Sequence, residues 1–460
     1  MEERSLKFVA EACAAEIRRG AAETLVNNNC TDSRQVKAGD LFFAIRGEKF
    51  DGHDFLNEVT AKNVSAIVIE QKKIPPQLPD CAVLVVEDAR IALGKLAAVY
   101  RKDFNLPVVV VGGSNGKTTV KELIASVLSR ELKVLWSEAS FNNDIGVPLT
   151  LLRLEKSHQA AVLEAGTNHP GELVPLVTMI QPKFGVLTNI GREHLEFFGD
   201  VAGVAQEEGW LAELLPVDGK LFVNGDNEWT DKIVRRTRAK VVRVGLNENN
   251  DWHAGKIRLD KNGVTFQAEA PAKELSGEYR INLLGRHQVI NALFAIAVGA
   301  ELGLSREEIQ RGLAACQPPK MRLQFWEANG VRVLDDAYNA NTDSTIAALE
   351  TLCDLPLQGR RVAVLGDMEE LGAHSEAAHA EVGRRAAELG IGQLFAVGKM
   401  SVITAKAARD AGLTRVIEFV DVEAAVKAVK NFLKTGDVVL LKASRASRLE
   451  RIAETLRFEK

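Results

Sequence analysis

The chain has 460 residues, a formal net charge of −4, 46% apolar and 26% charged residues. That length allows about three domains with cores of their own, and the near-neutral balance excludes the broad basic face of a nucleic-acid-binding protein. Five scattered cysteines (Cys13, Cys30, Cys81, Cys316, Cys353) without Cys-x-x-Cys spacing exclude a disulfide framework and imply reduced thiols. No apolar run of about 18 residues exists, so no membrane insertion is expected. The polar start Met1-Glu2-Glu3-Arg4-Ser5 lacks the apolar stretch of a signal peptide, and a cytoplasmic location is expected.

In chain order, Phe8 to Arg18 has helical spacing, and Ser65–Ile69 and Ala82–Val86 read as strands. Between them lies Thr31-Asp32-Ser33-Arg34. Such a turn is often only a turn, but an arginine beside a hydroxyl also suits a diphosphate or carboxylate. A helix over Ile91–Tyr100 and the break Asp103-Phe104-Asn105 set a first boundary near residue 104.

The next stretch organises the chain: Pro107-Val108-Val109-Val110-Val111-Gly112-Gly113-Ser114-Asn115-Gly116-Lys117-Thr118-Thr119. Four valines predict a buried parallel strand, the glycines a tight turn that lets backbone approach a ligand, and Val120–Leu128 an amphipathic helix. Strand, glycine loop, Lys-Thr and helix form a phosphate cradle, with Lys117 reaching the β/γ-phosphates and the Thr118 hydroxyl placed for Mg²⁺. Only the shorter G-x-x-G-K-T core is present, because the first glycine of the full motif falls on Val111.

From 104 to 317 strands and helices alternate, the pattern of a doubly wound parallel sheet. Strand Ala160–Glu164 ends in a carboxylate, and strand Phe184–Ile190 runs into Gly191-Arg192-Glu193-His194. Ligands in such sheets sit beyond the carboxyl ends of strands, where Gly113, Glu164 and His194 all fall. Glu164 reads as a Mg²⁺ ligand or as a helix-capping acid. Gly285–Ala292 opens a helix carrying Asn291, and Gln317-Pro318-Pro319-Lys320 is the second boundary. Beyond it, Val331–Asp336, Arg361–Gly366, Gln393–Gly398 and Val438–Lys442 alternate with helical segments, predicting a smaller α/β domain without a G-x-G-x-x-G turn.

Together these motifs resemble the Mur ligases, the ATP-dependent amino-acid ligases of peptidoglycan synthesis, along essentially the whole chain. Gly113–Thr119 looks like the family's ATP loop. Asn142-Asn143-Asp144-Ile145-Gly146-Val147-Pro148, Glu164–Glu172, Asn189–Gly199, Asp335-Asp336-Ala337-Tyr338-Asn339-Ala340-Asn341 and Leu365–Gly372 resemble the branch that adds D-alanyl-D-alanine. The resemblance implies an α/β protein of three domains: residues 1–103, a small α/β domain for the UDP-sugar; 104–317, the central ATPase sheet; and 318–460, a Rossmann-like ligase domain.

It also implies the site. Ser33 and Arg34 would hold the uridine nucleotide. Gly113, Ser114, Asn115, Gly116, Lys117, Thr118 and Thr119 would bind ATP phosphates, Asn291 would face adenine, Arg322 the phosphates and Asp336 the ribose. Asn142, Asn143, Tyr338, Asn339 and Asn341 would contact substrate, and Lys117, Glu164, His194 and Arg322 would be catalytic. Mg²⁺ would be held by Thr118, Glu164, His194 and Glu208. ATP, UDP-N-acetylmuramoyl-tripeptide and D-alanyl-D-alanine are the expected small-molecule partners of a protein expected to act as a monomer. The third domain would close over ATP and keep water from an acyl phosphate.

Four positions depart from the family pattern: Thr342 where proline is usual, Ala337 where serine is common, Ala443 in place of a glycine, and Glu208. By ungapped count from His194, Glu208 covers the lysine that relatives carbamylate to hold a second Mg²⁺, so it is expected to supply a carboxylate directly. A sister ligase adding a diamino acid should carry an Asp-Asn-Pro-Arg-type motif, which is absent. A folate polyglutamylating ligase has no place for the first domain. A regulatory protein with a decayed site would not be expected to keep Lys117, Glu164, His194 and Asp336.

Overall fold

Val108–Val111 lie at 0% exposure in an interior strand of a nine-stranded sheet, third from one edge. Burial of each valine contributes roughly 1.5–3 kcal/mol against exposure, which favours an interior position covered on both faces over an edge. The computed structural model describes residues 1–458. In that sheet the Val108–Gly112 strand is flanked by Ala160–Glu164 and Phe184–Leu187, both parallel to it. Lys220–Asn224, Lys240–Gly245 and Trp252–Asp260 continue the parallel order on one side, and Val134–Trp136 ends it on the other. The expected parallel pattern stops at Trp252. Beyond it Gly263–Glu269 and Gly277–Ile281 pair antiparallel, because residues 261–262 and 270–276 link the strands without the long crossover that parallel neighbours need.

Before this sheet stands a five-stranded one, ordered Glu16–Arg19, Ala82–Val86, Ala66–Glu70, Leu41–Phe43, Asn29–Cys30. The helix expected over Phe8–Arg18 is shorter. It spans Leu6–Cys13 and ends where Ala14 turns left-handed at φ 54°. Glu16–Arg19 instead forms an edge strand, antiparallel to Ala82–Val86. The apolar period is satisfied by Ile17 packing on the same core as the helix. Helix Ala89–Arg101 joins the two sheets in one apolar core. Its Arg101, buried, donates to the carbonyls of Ile180, Phe104 and Gln181.

The third sheet has six strands in the order Gln324–Ala328, Val331–Asp336, Val438–Lys442, Arg361–Leu365, Gln393–Val397, Val416–Phe419, parallel except for the first pair. The mixed α/β architecture with a central phosphate-loop sheet thus matches expectation. Two of the family departures, Thr342 and Ala443, have physical accounts. Thr342 is the first residue of helix Thr342–Asp354, where a proline is welcome but not needed. Ala443 is fully buried, and a Cβ on neighbouring Gly366 would come within 2.7 Å of its methyl. The glycine at 366 makes the room.

Candidate active site

The loop after Val111 owes its shape to acceptors that the protein itself supplies. Gly113 has φ +107°, and a Cβ there would lie 2.5 Å from Thr188 Oγ1. Its N–H donates to Glu208 Oε2 at 2.7 Å, while the N–H groups of Ser114 and Asn115 donate to the carbonyl and side-chain oxygens of Asn189 at 2.9 and 2.8 Å. Three loop N–H groups are therefore spent on holding the loop. The cradle for an anion narrows to Gly116 and the first turn of helix Lys117–Leu128, whose N-terminus no side chain caps. Gly116, at φ +86°, also leaves space for Asn291, whose Oδ1 would be 2.8 Å from a Cβ.

Lys117 Nζ lies 3.2 Å from Glu193 Oε2 and donates to the Ser114 carbonyl at 3.3 Å. Burial alone would lower its pKa, but Glu193, Glu208 and Glu164 outweigh that and hold it above the ordinary lysine value. Glu208 is wholly buried beneath the loop, not a solvated helix acid. Burial pushes its pKa up to about 8, Lys117 pulling down and Glu193 adding to the rise. Its neighbour Glu207 has a different task, accepting from the N–H groups of Gly171 and Leu173.

A cavity of about 930 Å³ opens over the loop and is lined by residues of all three units, Glu48 and Arg90 coming from the first. The central unit contributes Ser114–Thr119, Asn142, Asn143, Glu164, Glu193, His194 and Asn291; the third unit contributes Arg322, Asp336, Tyr338, Asn339 and Asn341. Asn142 donates to Glu164 Oε1 at 2.8 Å. Asn143 Oδ1 accepts from Gly146 N–H at 2.9 Å and starts the following helix. The Arg322 guanidinium lies 4.3 Å from the centre of the Tyr338 ring, and the Tyr338 hydroxyl bonds to Ser140 across the cleft. Asn341 caps its own helix and donates to Asn115 Oδ1 at 2.9 Å.

Some predicted residues stand elsewhere. Gly113 and Glu208 lie under the loop and do not line the cavity. Ser33 and Arg34 also lie away from it; the exposed Arg34 guanidinium donates to both carboxylate oxygens of Asp32. Asp336 is already engaged, accepting from Leu323 N–H at 3.0 Å and pairing with Lys442 at 2.7 Å. His194 Nδ1 lies 2.5 Å from Glu370 Oε2. Glu193, Glu370 and Lys442 join the site without having been singled out. Glu193 and Glu370 sit inside motifs that pointed to the family, and Lys442 ends a strand at the carboxyl edge where such groups gather.

Among the described residues no three His, Cys, Asp or Glu side chains converge into a preformed metal cage. Mg²⁺ does not need one, because it keeps waters and takes one or two carboxylates together with substrate phosphates. The donor set fits it: Thr118 Oγ1, Glu164 Oε2, Glu193 Oε1 and Glu208 Oε1 are all buried without a hydrogen-bond partner. Three orphaned carboxylate oxygens facing one ammonium are costly unless a cation joins them.

A phosphate loop on a parallel sheet, faced by basic and amide side chains of a second sheet unit, defines a nucleotide-triphosphate-dependent enzyme whose site spans two units. Three family models match along the chain: the Mur ligase family catalytic domain at residues 26–101, the Mur ligase middle domain at 111–299, and the Mur ligase glutamate ligase domain at 321–445. The UDP-N-acetylmuramoyl-tripeptide–D-alanyl-D-alanine ligase of Escherichia coli is 37% identical over 436 residues, covering 93% of this chain and 92% of the relative. That of Bacillus subtilis is 32% identical, covering 99% of each. A crystal structure of MurF from Acinetobacter baumannii superposes with a TM-score of 0.90 at 33% identity over 99% of both chains. MurF ligase from Thermotoga maritima, solved with ADP, gives 0.80 at 28% identity over 93% of this chain and 96% of that one. The protein belongs to the Mur ligase family.

Replacing Lys117 removes the one cation fixed at the helix N-terminus. Lys117→Ala is expected to stay folded, since two surplus carboxylates can take up protons, and to lose about 10²–10³-fold or more in ATP-dependent turnover. Thermal melting and steady-state kinetics at saturating ATP check this; near-normal turnover would remove the loop from the chemistry.

Proposed function

We propose that the protein joins D-alanyl-D-alanine to UDP-N-acetylmuramoyl-tripeptide in the cytoplasm, using ATP and Mg²⁺, as a step of peptidoglycan precursor synthesis. The observation that carries this reading is one cavity lined by residues of all three units around Lys117. One site must receive a nucleotide, a long anionic sugar-peptide and an amine at once. In this reading residues 1–103 receive the uridine nucleotide through Ser33 and Arg34, 104–317 hold ATP, and 318–460 close over it as a monomer.

The tripeptide's terminal carboxylate oxygen bonds to the γ-phosphorus and ADP leaves. The dipeptide amine then attacks the acyl carbon, loses a proton, and phosphate departs with the carboxylate's oxygen. Attack of an anion on an anion is slow unless charge is neutralised where it develops. Lys117 and Arg322 supply fixed positive charge, with Arg322 held flat by the Tyr338 ring. Asn291 lies beside the loop for the base, and Asp336, oriented by Lys442, lies within reach of a ribose. Asn142, Asn143, Tyr338, Asn339 and Asn341 line the space left for the peptide ends. Thr118, Glu164 and His194 would hold Mg²⁺, with Glu208 contributing its unpartnered oxygen from below. Bound there, the ion supplies charge neutralisation on the phosphates.

Phosphate release from ATP that requires both UDP-N-acetylmuramoyl-tripeptide and D-alanyl-D-alanine is the expected outcome; release with either alone, or with neither required, contradicts the reading. A second outcome isolates Glu208. Glu208→Gln keeps an oxygen for the Gly113 N–H but loses the charge, so the fold should survive. The Mg²⁺ concentration needed for ATP binding in calorimetry should rise about tenfold. Wild-type turnover should be indifferent to removal of dissolved CO₂. An unchanged Mg²⁺ dependence would refute the metal role.

A further inference from the structure

Arg192 lies in the turn after strand Phe184–Leu187, next to Glu193, and does not line the cavity. Its side chain reaches into the third sheet unit instead. Nε and Nη2 donate to Asp343 Oδ1 at 2.8 and 2.6 Å, and the backbone N–H of Arg192 donates to Asp343 Oδ2 at 2.9 Å. Nη1 and Nη2 donate to the two oxygens of Glu381 at 2.6 and 3.1 Å. One guanidinium fork thus grips two carboxylates from two helices, Thr342–Asp354 and Ser375–Glu388. All three side chains are half-buried, at 33–37% exposure. Gly191 makes the approach possible, since a Cβ there would be 2.7 Å from Asp343 Oδ2.

The grip falls where it has most effect. Asp343 is two residues from Asn341, which donates to Asn115 in the phosphate loop. On the other side of Arg192, Glu193 pairs with Lys117, and His194 meets Glu370 of the third unit. The Glu196 N–H also donates to the Glu370 carbonyl at 3.0 Å. Each of these contacts joins one protein group to another. Bidentate arginine–carboxylate pairs are stronger and more directional than lysine pairs, and partial burial reduces their screening.

We propose that Arg192 is a positioning residue that clamps the third unit onto the phosphate loop through Asp343 and Glu381, so that the closed arrangement is populated before ATP binds. The inference rests on the reading that ATP is held between the two units. Without the clamp the closed fraction falls, and apparent ATP affinity falls by the same factor. At saturating ATP the nucleotide's own contacts restore closure, so KM moves more than kcat.

The test uses full-length wild type, Arg192→Met, Arg192→Lys and Asp343→Asn. Small-angle scattering without nucleotide should show a larger radius of gyration for Arg192→Met, returning to the wild-type value with saturating ATP analogue. Its KM for ATP should rise about tenfold while kcat changes less. Arg192→Lys, which keeps charge but loses the fork, should fall between. The double substitution of Arg192→Met with Asp343→Asn should be no worse than the poorer single one. Raising wild type to about 0.5 M salt should expand it in the same way; this arm and the lysine variant carry the test if Arg192→Met fails to fold. An unchanged radius and ATP KM in folded Arg192→Met overturns the clamp. Scattering and ATP affinity need no peptide substrate, so they stand apart from failure of the ligation assay, which would strike the functional reading instead.

Discussion

Three buried carboxylates, Glu164, Glu193 and Glu208, act on one ammonium, the half-buried Lys117. Like charges in a dry pocket cannot all ionise without compensation. The protein relieves this in part by giving Asn142 to Glu164 and the Gly113 N–H to Glu208, whose pKa burial pushes up to about 8. What stays unrelieved is the set of orphaned oxygens beside Thr118. The pocket is therefore built with a deficit of positive charge that a divalent cation fills. An entering polyphosphate must then draw Lys117 away from Glu193. The valine strand, the left-handed glycines and the two oxygens of Asn189 that tie the loop all serve to hold this charge arrangement in place.

Such a site has to be closed as well as charged. An acyl phosphate is lost to water unless amine arrives first, so the groups that complete the cavity must come from a unit that packs down over it. The third sheet does this with Arg322, Tyr338 and Asn341, each touching the central unit or stacked against a residue that does. The short segment Gly191–Glu196 is the meeting point. It carries Glu193 toward Lys117 on one side and offers Arg192, His194 and a backbone N–H to the third unit on the other. The contacts to the third unit and the partner of Lys117 thus sit on adjacent residues of one turn.

The nucleotide half of the site was legible in the sequence because it is local. A β-branched strand, glycines and Lys-Thr within thirteen residues leave little else to build, and Ala160–Glu164 was read to the residue. Charge partners from distant segments were not legible, since no spacing rule links Lys117 to Glu193 or Asp336 to Lys442. Glu207 and Glu208 show the same limit at close range. Adjacent helical residues point about 100° apart, so one caps a neighbouring helix while the other supports the phosphate loop, and composition alone cannot tell them apart. The over-long first helix came from an apolar period that continues into an edge strand across a left-handed Ala14.

The central claim is that the site activates a carboxylate as an acyl phosphate and protects it until the amine attacks. Tripeptide substrate carrying ¹⁸O in its terminal carboxylate tests this most directly, by mass spectrometry of the phosphate formed during ligation. The account predicts one ¹⁸O transferred into each phosphate released, with peptide and phosphate formed in equal amounts. Phosphate free of label, with peptide still formed, would contradict it.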